Sequence, residues 1–291
     1  MRIEYQCLPC AVNSFVKRLE KYGLTVEQKD KAAKEFFREV SEIDFEITPP
    51  ELGRLLHRRI KKLVNDPDPF KDEKHKSNQM IMEHYDELQM MIEKADDPFK
   101  FALKLTLYGN HIDSVFNENI NADNLFDEIR ELNINLDRSD ELRLEFEKAR
   151  KVLYLGDNCG EIVFDKLFLR TCNSLFPATE FIFAVRSEPI INDATMEDAE
   201  FVNMIDVAEV IENGYDAPGT VLKHCSEEFL RHYDGADLII SKGQGNFETL
   251  NDSGQNIYFL LMTKCDFVSR CFGQEPGNLV VASKDDIIEQ E

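Results

Sequence analysis

The stretch VLYLGDNCGEIVFD, Val152 to Asp165, decides the fold of this chain. Its first four residues form a short apolar run of the kind found in strands that are buried on both faces, and Gly156 ends that run. Asp157 and Asn158 follow at once, and a helix-like pattern begins near Glu161. Polar residues at the carboxyl end of a parallel strand, where a helix begins, mark the usual ligand site of an open α/β sheet.

The second half of the chain alternates short β-rich runs with helix-like segments. This alternation predicts an α/β fold with a mostly parallel sheet that helices cover on both faces. The predicted strands are Val152–Leu155, Phe181–Val185, Val207–Ile211, Leu238–Ser241, Tyr258–Thr263 and Leu279–Ala282. The predicted helices between them include Glu161–Ser174, Thr195–Val202 and Thr220–Tyr233.

The first half of the chain is predicted to be helical, because its apolar residues recur at helical spacing. We therefore divide the chain into a helical region, residues 1–148, and an α/β domain that binds metal and phosphate, residues 149–291. The predicted helices are Asn13–Lys21, Val26–Val40 with Thr25 as its cap, Glu51–Val64, Lys76–Lys94, Phe99–Val115 and Asp140–Arg150.

Composition limits the possible partners and location. The chain has 34 Lys and Arg against 56 Asp and Glu, a formal charge of −22, which disfavours nucleic acid and anionic membranes as partners. No apolar run approaches the roughly 18 to 20 residues that span a bilayer, and the amino terminus does not resemble a signal peptide. Seven scattered cysteines are typical of reduced thiols, so we expect a cytoplasmic protein, whose oligomeric state the sequence leaves open.

Three polar clusters follow predicted strands and have complementary chemistry. They are Asp157-Asn158 with Glu161, Asn192-Asp193, and the segment from Lys242 through Gly243, Gly245 and Asn246 to Glu248. Two carboxylates and an amide oxygen are hard ligands that suit Mg²⁺ or Mn²⁺. A lysine beside two glycines is a suitable partner for a phosphoryl group, because glycine lets backbone N–H groups approach an anion.

Each cluster also has a plainer interpretation. An Asp-Asn pair at a strand end is often only a helix cap, and Asn192-Asp193 fits that role equally well. A single Gly-x-Gly segment is weak evidence for a phosphate loop. The convergence of three clusters on strand ends is what favours a ligand site.

Two further features lie in the helical half. Asn110 and Asp113 are spaced to share one helix face and to close over a substrate, although a simple helix end explains them equally well. Cys7 and Cys10 form a C-x-x-C pair without a matching second pair, so their role stays open.

The quoted motifs resemble the family of metal-dependent damage-control phosphatases formerly called domain of unknown function 89 (DUF89), in its archaeal and bacterial branch. The most specific motifs are GDNCGEIVFD at 156–165, Asn192-Asp193 and SKGQGNFE at 241–248. CLPC with Asn13-Ser14, and the segment from Gly109 to Asp113, also look like that branch. The resemblance covers most of the chain and implies a three-layer α/β/α sandwich preceded by a helical region that forms part of the pocket.

The resemblance implies a role for each matching residue. Asp157, Asn158 and Asp193 would bind a divalent metal ion (Mg²⁺, Mn²⁺, Co²⁺ or Ni²⁺), with Asp198 as the alternative to Asp193. Lys242 would contact the substrate phosphate. The residues expected to line the substrate pocket are Glu161, Gly243, Gly245, Asn246, Glu248, Asn110 and Asp113.

The predicted function is hydrolysis of phosphate monoesters of small metabolites, such as sugar phosphates or nucleotide derivatives. Two mechanisms fit the residues: in-line attack by a metal-bound water, which we favour, and attack by Asp157 as a nucleophile. The favoured catalytic set is Asp157, Asn158, Asp193 and Lys242. The alternatives are a non-catalytic protein that binds metal and a phosphorylated ligand and, with less support, a carboxyl methyltransferase.

Overall fold

A computed structural model of the chain describes residues 1–115 and 128–288, and for residues 110–115 it describes the backbone alone. A mostly parallel sheet forms its centre. The strands are β1 (Leu136–Asp137), β2 (Lys151–Leu155), β3 (Glu180–Val185), β4 (Glu209–Glu212), β5 (Leu238–Lys242), β6 (Ile257–Met262) and β7 (Leu279–Ser283). Their spatial order is β1-β7-β6-β5-β2-β3-β4. Every neighbouring pair is parallel except β6 and β7, which are antiparallel.

The sequence predicted six of these strands, and the sheet confirms the predicted α/β class. It missed β1, whose two residues pair with β7 and are too few to produce a local pattern. The antiparallel direction of β7 was also invisible in the sequence, because a fully buried strand is apolar along its whole length in either direction.

Helices precede the sheet and lie along it. Before β1 the chain forms α1 (Cys7–Lys21), α2 (Val26–Ser41), α3 (Pro49–Val64), α4 (Lys71–Met82), α5 (Tyr85–Lys94) and α6 (Pro98–Val115). From β1 onward it forms α7 (Ser139–Lys148), α8 (Glu161–Leu175), α9 (Met196–Phe201), α10 (Glu227–Asp234), α11 (Gly243–Leu250) and α12 (Asp266–Cys271). Thr25 and Thr48 begin α2 and α3 with reciprocal capping boxes, as their sequences favour.

Several helix predictions were wrong in their limits. The helix predicted as Asn13–Lys21 begins at Cys7. The segment predicted as one helix, Lys76–Lys94, is two helices that meet at Glu83 and His84. The segment predicted as Thr220–Tyr233 is α-helical only from Glu227, where Ser226 caps α10, and Leu222–His224 forms a short 3-10 helix before it. The glycine-containing segment after β5 forms the start of α11.

Two large hydrophobic clusters cover the two faces of the sheet, which makes the three-layer α/β/α arrangement. One cluster contains α6, α7 and α8 with one face of the strands, and the other contains α10, α11 and α12 with the opposite face. A smaller cluster joins α1, α2 and α3 through side chains such as Phe15, Phe36 and Ile60. The first cluster continues across the predicted boundary near residue 148, since α6 packs along α8. The division into two regions therefore stays a prediction.

Candidate active site

The chain changes direction across the sheet next to β2, and this topology locates the candidate site. After β2 it adds β3 and β4 on one side, and then crosses to β5 on the other side of β2. In an open α/β sheet, the carboxyl ends of strands at such a switch point form the ligand crevice. The register aligns Leu155 with Ala184 of β3 and with Ser241 of β5.

The residues two positions beyond that aligned row meet at the crevice. They are Asp157 after β2, Arg186 after β3 and Gly243 after β5. The Arg186 Nη2 atom lies 3.8 Å from Asp157 Oδ1. Gly243 has φ +75°, and a Cβ atom built on it would overlap the Asp157 carboxylate. Glycine is therefore required at this position by both its backbone conformation and the close approach of Asp157.

The loop after β3 brings Asn192 and Asp193 against the loop after β2, as the sequence predicted for two neighbouring clusters. Asn158 and Asp193 form an isolated antiparallel bridge. The Cys159 amide donates to Asn192 O at 2.8 Å, and the Ala194 amide donates to Asp157 O at 2.8 Å. Asp157, Asn158 and Asp193 are therefore brought together, and all three are buried.

Asp198, the alternative to Asp193, has a different position. It accepts from the Thr195 amide at 3.0 Å and from Thr195 Oγ1 at 2.7 Å, so it belongs to the capping box of α9. It also accepts from Asn78 Nδ2 at 3.1 Å and lies 3.4 Å from Lys74 Nζ. These contacts favour Asp193 as the residue that shares the site with Asp157.

Arg186 is a buried cation that the sequence analysis passed over. Its Nε donates to Asp193 Oδ2 at 2.7 Å and its Nη1 donates to Thr220 Oγ1 at 3.3 Å. Its Nη2 is buried and makes no hydrogen bond to any described residue. The signal in the sequence was its place, one residue beyond a buried strand. An arginine there is conspicuous because a guanidinium is seldom buried without acidic partners.

The carboxylates of the crevice repel one another. Burial raises the pKa of Asp157 well above its ordinary value, and the charges of Asp193 and Glu161 raise it further, whereas Arg186 and Lys264 oppose the rise. Asn158 Nδ2 donates to Asp157 Oδ2 at 2.8 Å. A group of buried acids of this kind is stabilised by an added cation.

Lys242 is fully buried, and it is not directed at open space. Its Nζ donates to the carbonyl of Thr106 at 2.9 Å, to Thr106 Oγ1 at 2.6 Å and to Asp165 Oδ1 at 2.9 Å, and it also forms an ion pair with Glu161. Burial lowers the pKa of Lys242, but the charges of Asp165 and Glu161 prevail and keep it above its ordinary value. The predicted contact of Lys242 with the substrate phosphate stays a prediction, and the structure gives this ammonium group four other acceptors.

Glu161 connects this ion-pair network to the crevice. Its side chain is completely buried, and Asn158 Nδ2 lies 3.5 Å from Glu161 Oε2. Tyr154 and Thr106 complete the network by hydrogen bonding to Asp165 Oδ1. Lys242 therefore fixes Glu161, which in turn lies beside Asn158.

The remaining residues of the third cluster mainly fix the loops. Asn246 Nδ2 donates to Gly156 O at 3.1 Å and to Lys242 O at 2.8 Å, and Asn246 Oδ1 accepts from Thr220 Oγ1 at 2.8 Å. A Cβ atom on Gly245 would overlap the carbonyl oxygen of Pro218, so Gly245 allows this helix and the 218–220 loop to touch. Asn246 and Gly245 therefore fix the relative positions of the loops that form the crevice.

Glu248 and Lys264 are both connected to Gln244 of α11. Glu248 Oε1 accepts from Gln244 Nε2 at 2.8 Å, and burial raises the pKa of Glu248 to about 7. Lys264 follows β6, its amide donates to Gln244 Oε1 at 2.8 Å, and its charge acts on both Asp157 and Glu248. Lys264 is exposed, unlike Lys242, and no motif marks it in the sequence, because it is a lone lysine after a strand.

The helical half reaches the same crevice through α6. A Cβ atom on Gly109 would lie 2.9 Å from Glu161 Cγ and 3.2 Å from Glu161 Cα, so α6 approaches α8 closely there. The side chains of Asn110 and Asp113, predicted to close over the substrate, lie outside the described residues.

The predicted metal ligands form a mixed set of oxygen donors. Among the side chains that the structure describes, those of residues 1–109 and 128–288, no group of three His, Cys, Asp or Glu is placed to hold a metal ion. The predicted set has only two such residues, Asp157 and Asp193, with the Asn158 amide as the third donor. Cys7 lies in the first turn of α1 and is half-buried, and Cys10 is exposed; all seven cysteines are free.

This fold and crevice define an α/β protein with acidic and amide groups at the switch point of its sheet. Comparison with known proteins gives the family. The profile of the damage-control phosphatase ARMT1-like domain matches residues 3–280. The chain therefore belongs to the ARMT1-like damage-control phosphatase family, the DUF89 family that its motifs resemble.

Individual relatives match over nearly the whole chain. A damage-control phosphatase of Pyrococcus horikoshii is 33% identical over 96% of this chain and 97% of its own length. An uncharacterized protein of Methanocaldococcus jannaschii is 30% identical over 98% of this chain and 96% of its own length. The crystal structure of a DUF89 family protein from P. horikoshii superposes with a TM-score of 0.89 at 31% identity, covering 98% of this chain and 99% of that one. This likeness confirms the fold class.

Proposed function

We propose that this protein is a metal-dependent phosphatase that hydrolyses phosphate monoesters of small metabolites, such as sugar phosphates or nucleotide derivatives. The observation that carries the proposal is the convergence of Asp157, Asn158 and Asp193 at the switch point of the sheet. Relatives from Pyrococcus horikoshii and Archaeoglobus fulgidus, each 33% identical to this chain, are both named damage-control phosphatases, which supports phosphatase activity in general.

The residues of the crevice fit a divalent metal ion. Asp157 and Asp193 supply two carboxylates and Asn158 an amide, a donor set that suits Mg²⁺, Mn²⁺, Co²⁺ or Ni²⁺. The mutual repulsion of Asp157, Asp193 and Glu161 supports this fit, because a bound cation relieves it. When bound, such an ion would supply a Lewis acid that polarises the phosphoryl oxygens and acidifies a water molecule.

The cations of the crevice have separate roles in this proposal. Arg186 holds Asp193 in place through Nε, and its Nη2 is the donor that a phosphoryl oxygen would meet. Lys264 is exposed and its charge acts on Asp157, so we propose that it attracts the substrate phosphate. Lys242 acts as a positioning residue, because its ammonium group fixes Glu161 and Asp165.

Water is the nucleophile that we propose, as the sequence analysis favoured. Asp157 would be committed to the cation, and its carboxylate is enclosed by Asn158 and by the backbone of Gly243. A phospho-enzyme trapped with labelled substrate or a fluoride phosphate mimic would overturn this choice.

The experiment measures phosphate release from p-nitrophenyl phosphate and a panel of sugar phosphates and nucleotides. Activity should require added Mn²⁺, Mg²⁺, Co²⁺ or Ni²⁺ and should disappear with EDTA. Asp157→Asn should lower kcat by about 100-fold or more, because it removes a charged ligand but almost no volume. Its unfolding curve should stay close to that of the wild type, and Asp252→Asn, on an exposed turn, is the matched control.

Two results would contradict the proposal. Metal binding without phosphate release from any substrate would favour a non-catalytic binding protein. Full activity of Asp157→Asn would reject the metal assignment.

A further inference from the structure

A second cavity, which none of the roles above uses, lies between α1 and α4. This groove encloses about 830 Å³ and extends to Ile191 and Asn192 of the loop after β3. Its apolar part includes Phe70 and Met80. Since Asn192 directly precedes Asp193, the groove reaches the loop that carries a proposed metal ligand.

The charge of the groove is opposite to that of the protein. Among the described residues, its lining includes four basic side chains and one acidic one, a formal charge of +3 in a chain of −22. Lys21 is paired with the single acid, Glu73, at 3.0 Å. Lys17 on α1 and Lys76 on α4 are exposed and make no ion pair or hydrogen bond within the part of the chain that the structure describes.

The remaining basic residue, Arg18, contacts the apolar part of the groove. Its guanidinium carbon is 4.8 Å from the centre of the Phe70 ring, and its Nε lies 3.3 Å from Ser14 Oγ. Stacking of this kind holds a guanidinium over an apolar surface without removing its charge. The groove therefore offers cations above a hydrophobic floor.

The α4 wall of the groove is fixed to the active-site loop. Asn78, next to Ser77 of the groove, accepts from the Gly160 amide at 2.6 Å, three residues beyond Asp157. Lys74 on the same helix forms a buried ion pair with Asp68 at 2.7 Å. Lys76 therefore lies on a helix that contacts the active-site loop directly, two residues before Asn78.

The loop after β3, which also lines the groove, is held in a strained conformation. Ile191 has φ +47°, in the left-handed region, which costs a β-branched residue about 1–2 kcal/mol. The Asp193 amide donates to Ile190 O at 3.0 Å and closes this turn. The strained turn places Ile191 on the groove and Asp193 in the crevice at the same time.

We propose that this groove binds a second phosphate group of the substrate, so that the enzyme prefers metabolites carrying two phosphates over those carrying one. This inference rests on the proposed phosphatase function and adds a substrate class to it. Lys17 and Lys76 would contact the distal phosphate, and the apolar floor would contact the scaffold between the two phosphates. Exposed cations that have no acidic partner gain most from such a ligand, since no existing ion pair must break.

The test compares two probes that share one scaffold, glucose 1,6-bisphosphate and glucose 6-phosphate. The test variant is Lys17→Gln with Lys76→Gln. Its kcat/KM for the bisphosphate should fall about tenfold, whereas that for the monophosphate should change less than about twofold. The charge-conserving variant, Lys17→Arg with Lys76→Arg, should keep the wild-type activity on the bisphosphate because it keeps both positive charges.

A matched control removes the same charge elsewhere. Lys34→Gln with Lys94→Gln changes two exposed lysines on α2 and α5, away from this groove. This variant should leave kcat/KM unchanged for both probes. Equal losses on both probes, or no loss on the bisphosphate, would overturn the proposal.

Failure of the phosphatase proposal is distinguishable from failure of this one. If the wild type hydrolyses neither probe, calorimetry with glucose 1,6-bisphosphate measures the groove directly. Binding that weakens about tenfold in the Lys17/Lys76 Gln variant supports the groove. Absent binding, or equal binding by both proteins, rejects it.

Discussion

Replacing Gly243 by alanine should abolish activity through a single methyl group. Gly243 has φ +75°, and an alanine there costs about 1–2 kcal/mol in backbone strain alone. The new Cβ would also lie only 1.9 Å from Asp157 Oδ2, so the carboxylate must move by about 1.5 Å to reach van der Waals contact. A displacement of about 1 Å in a reacting group lowers rates by about 100-fold.

Gly277→Ala separates the two effects. Gly277 has φ +92°, and a Cβ atom there meets nothing within 4 Å, so the control carries the strain without touching the crevice. Both variants would be measured by urea unfolding and by metal-dependent release of p-nitrophenol. We expect similar modest losses of stability, about 1–2 kcal/mol for Gly277→Ala and somewhat more for Gly243→Ala. The activity loss should occur only in Gly243→Ala, and wild-type kcat in that variant would refute the inference that Asp157 must occupy this position.

Three further predictions concern buried charged and polar groups. Lys242→Met should lower the free energy of unfolding by about 3–5 kcal/mol, because it leaves buried acids without their cation, whereas Lys264→Met should lower kcat/KM and leave urea unfolding nearly unchanged; a stable, inactive Lys242→Met would instead favour the phosphate contact. His57→Leu should stabilise the fold by about 1–3 kcal/mol at pH 7, because both ring nitrogens of His57 are buried and make no hydrogen bond to any residue that the structure describes. Since burial lowers the pKa of His57 to about 3, the wild type loses stability as the pH falls below about 6.5, and the advantage of the variant should grow between pH 6.5 and 4 in thermal melts; a constant difference would contradict this. Because burial raises the pKa of Glu248 to about 7, its ionisation destabilises the fold as the pH rises from about 4.5 to 7, so Glu248→Gln should be more stable than the wild type by on the order of 3 kcal/mol at pH 8 and equal to it near pH 4.

The sequence located the strands and the first polar cluster because those signals are local. A run such as Val152–Leu155 is apolar at every position since both faces of its strand are covered, and Asp157 follows it directly. The capping box of α2 was equally readable from Thr25 and its neighbours. The same local reading misplaced the limits of α4, α5 and α10, where apolar spacing continues through a break in the helix.

The partners of the buried charges were decided only by the tertiary structure. Lys242 looked like a phosphate ligand beside two glycines, yet its acceptors, Thr106, Glu161 and Asp165, lie 77 to 136 residues away in the chain. Arg186 and Lys264 carry no motif, and only the strand order shows that they follow β3 and β6, the neighbours of β2 and β5.

The sequence by itself therefore determined which residues end the buried strands, and it placed Asp157 and Asn158 directly beyond one of those ends. The tertiary structure alone decided that Arg186 pairs with Asp193 and that Lys242 is enclosed with Glu161 and Asp165. The physical reason is that the burial of a strand produces a pattern of apolar residues within the strand's own short sequence. The environment of a charge depends on which distant segments the sheet brings to its side.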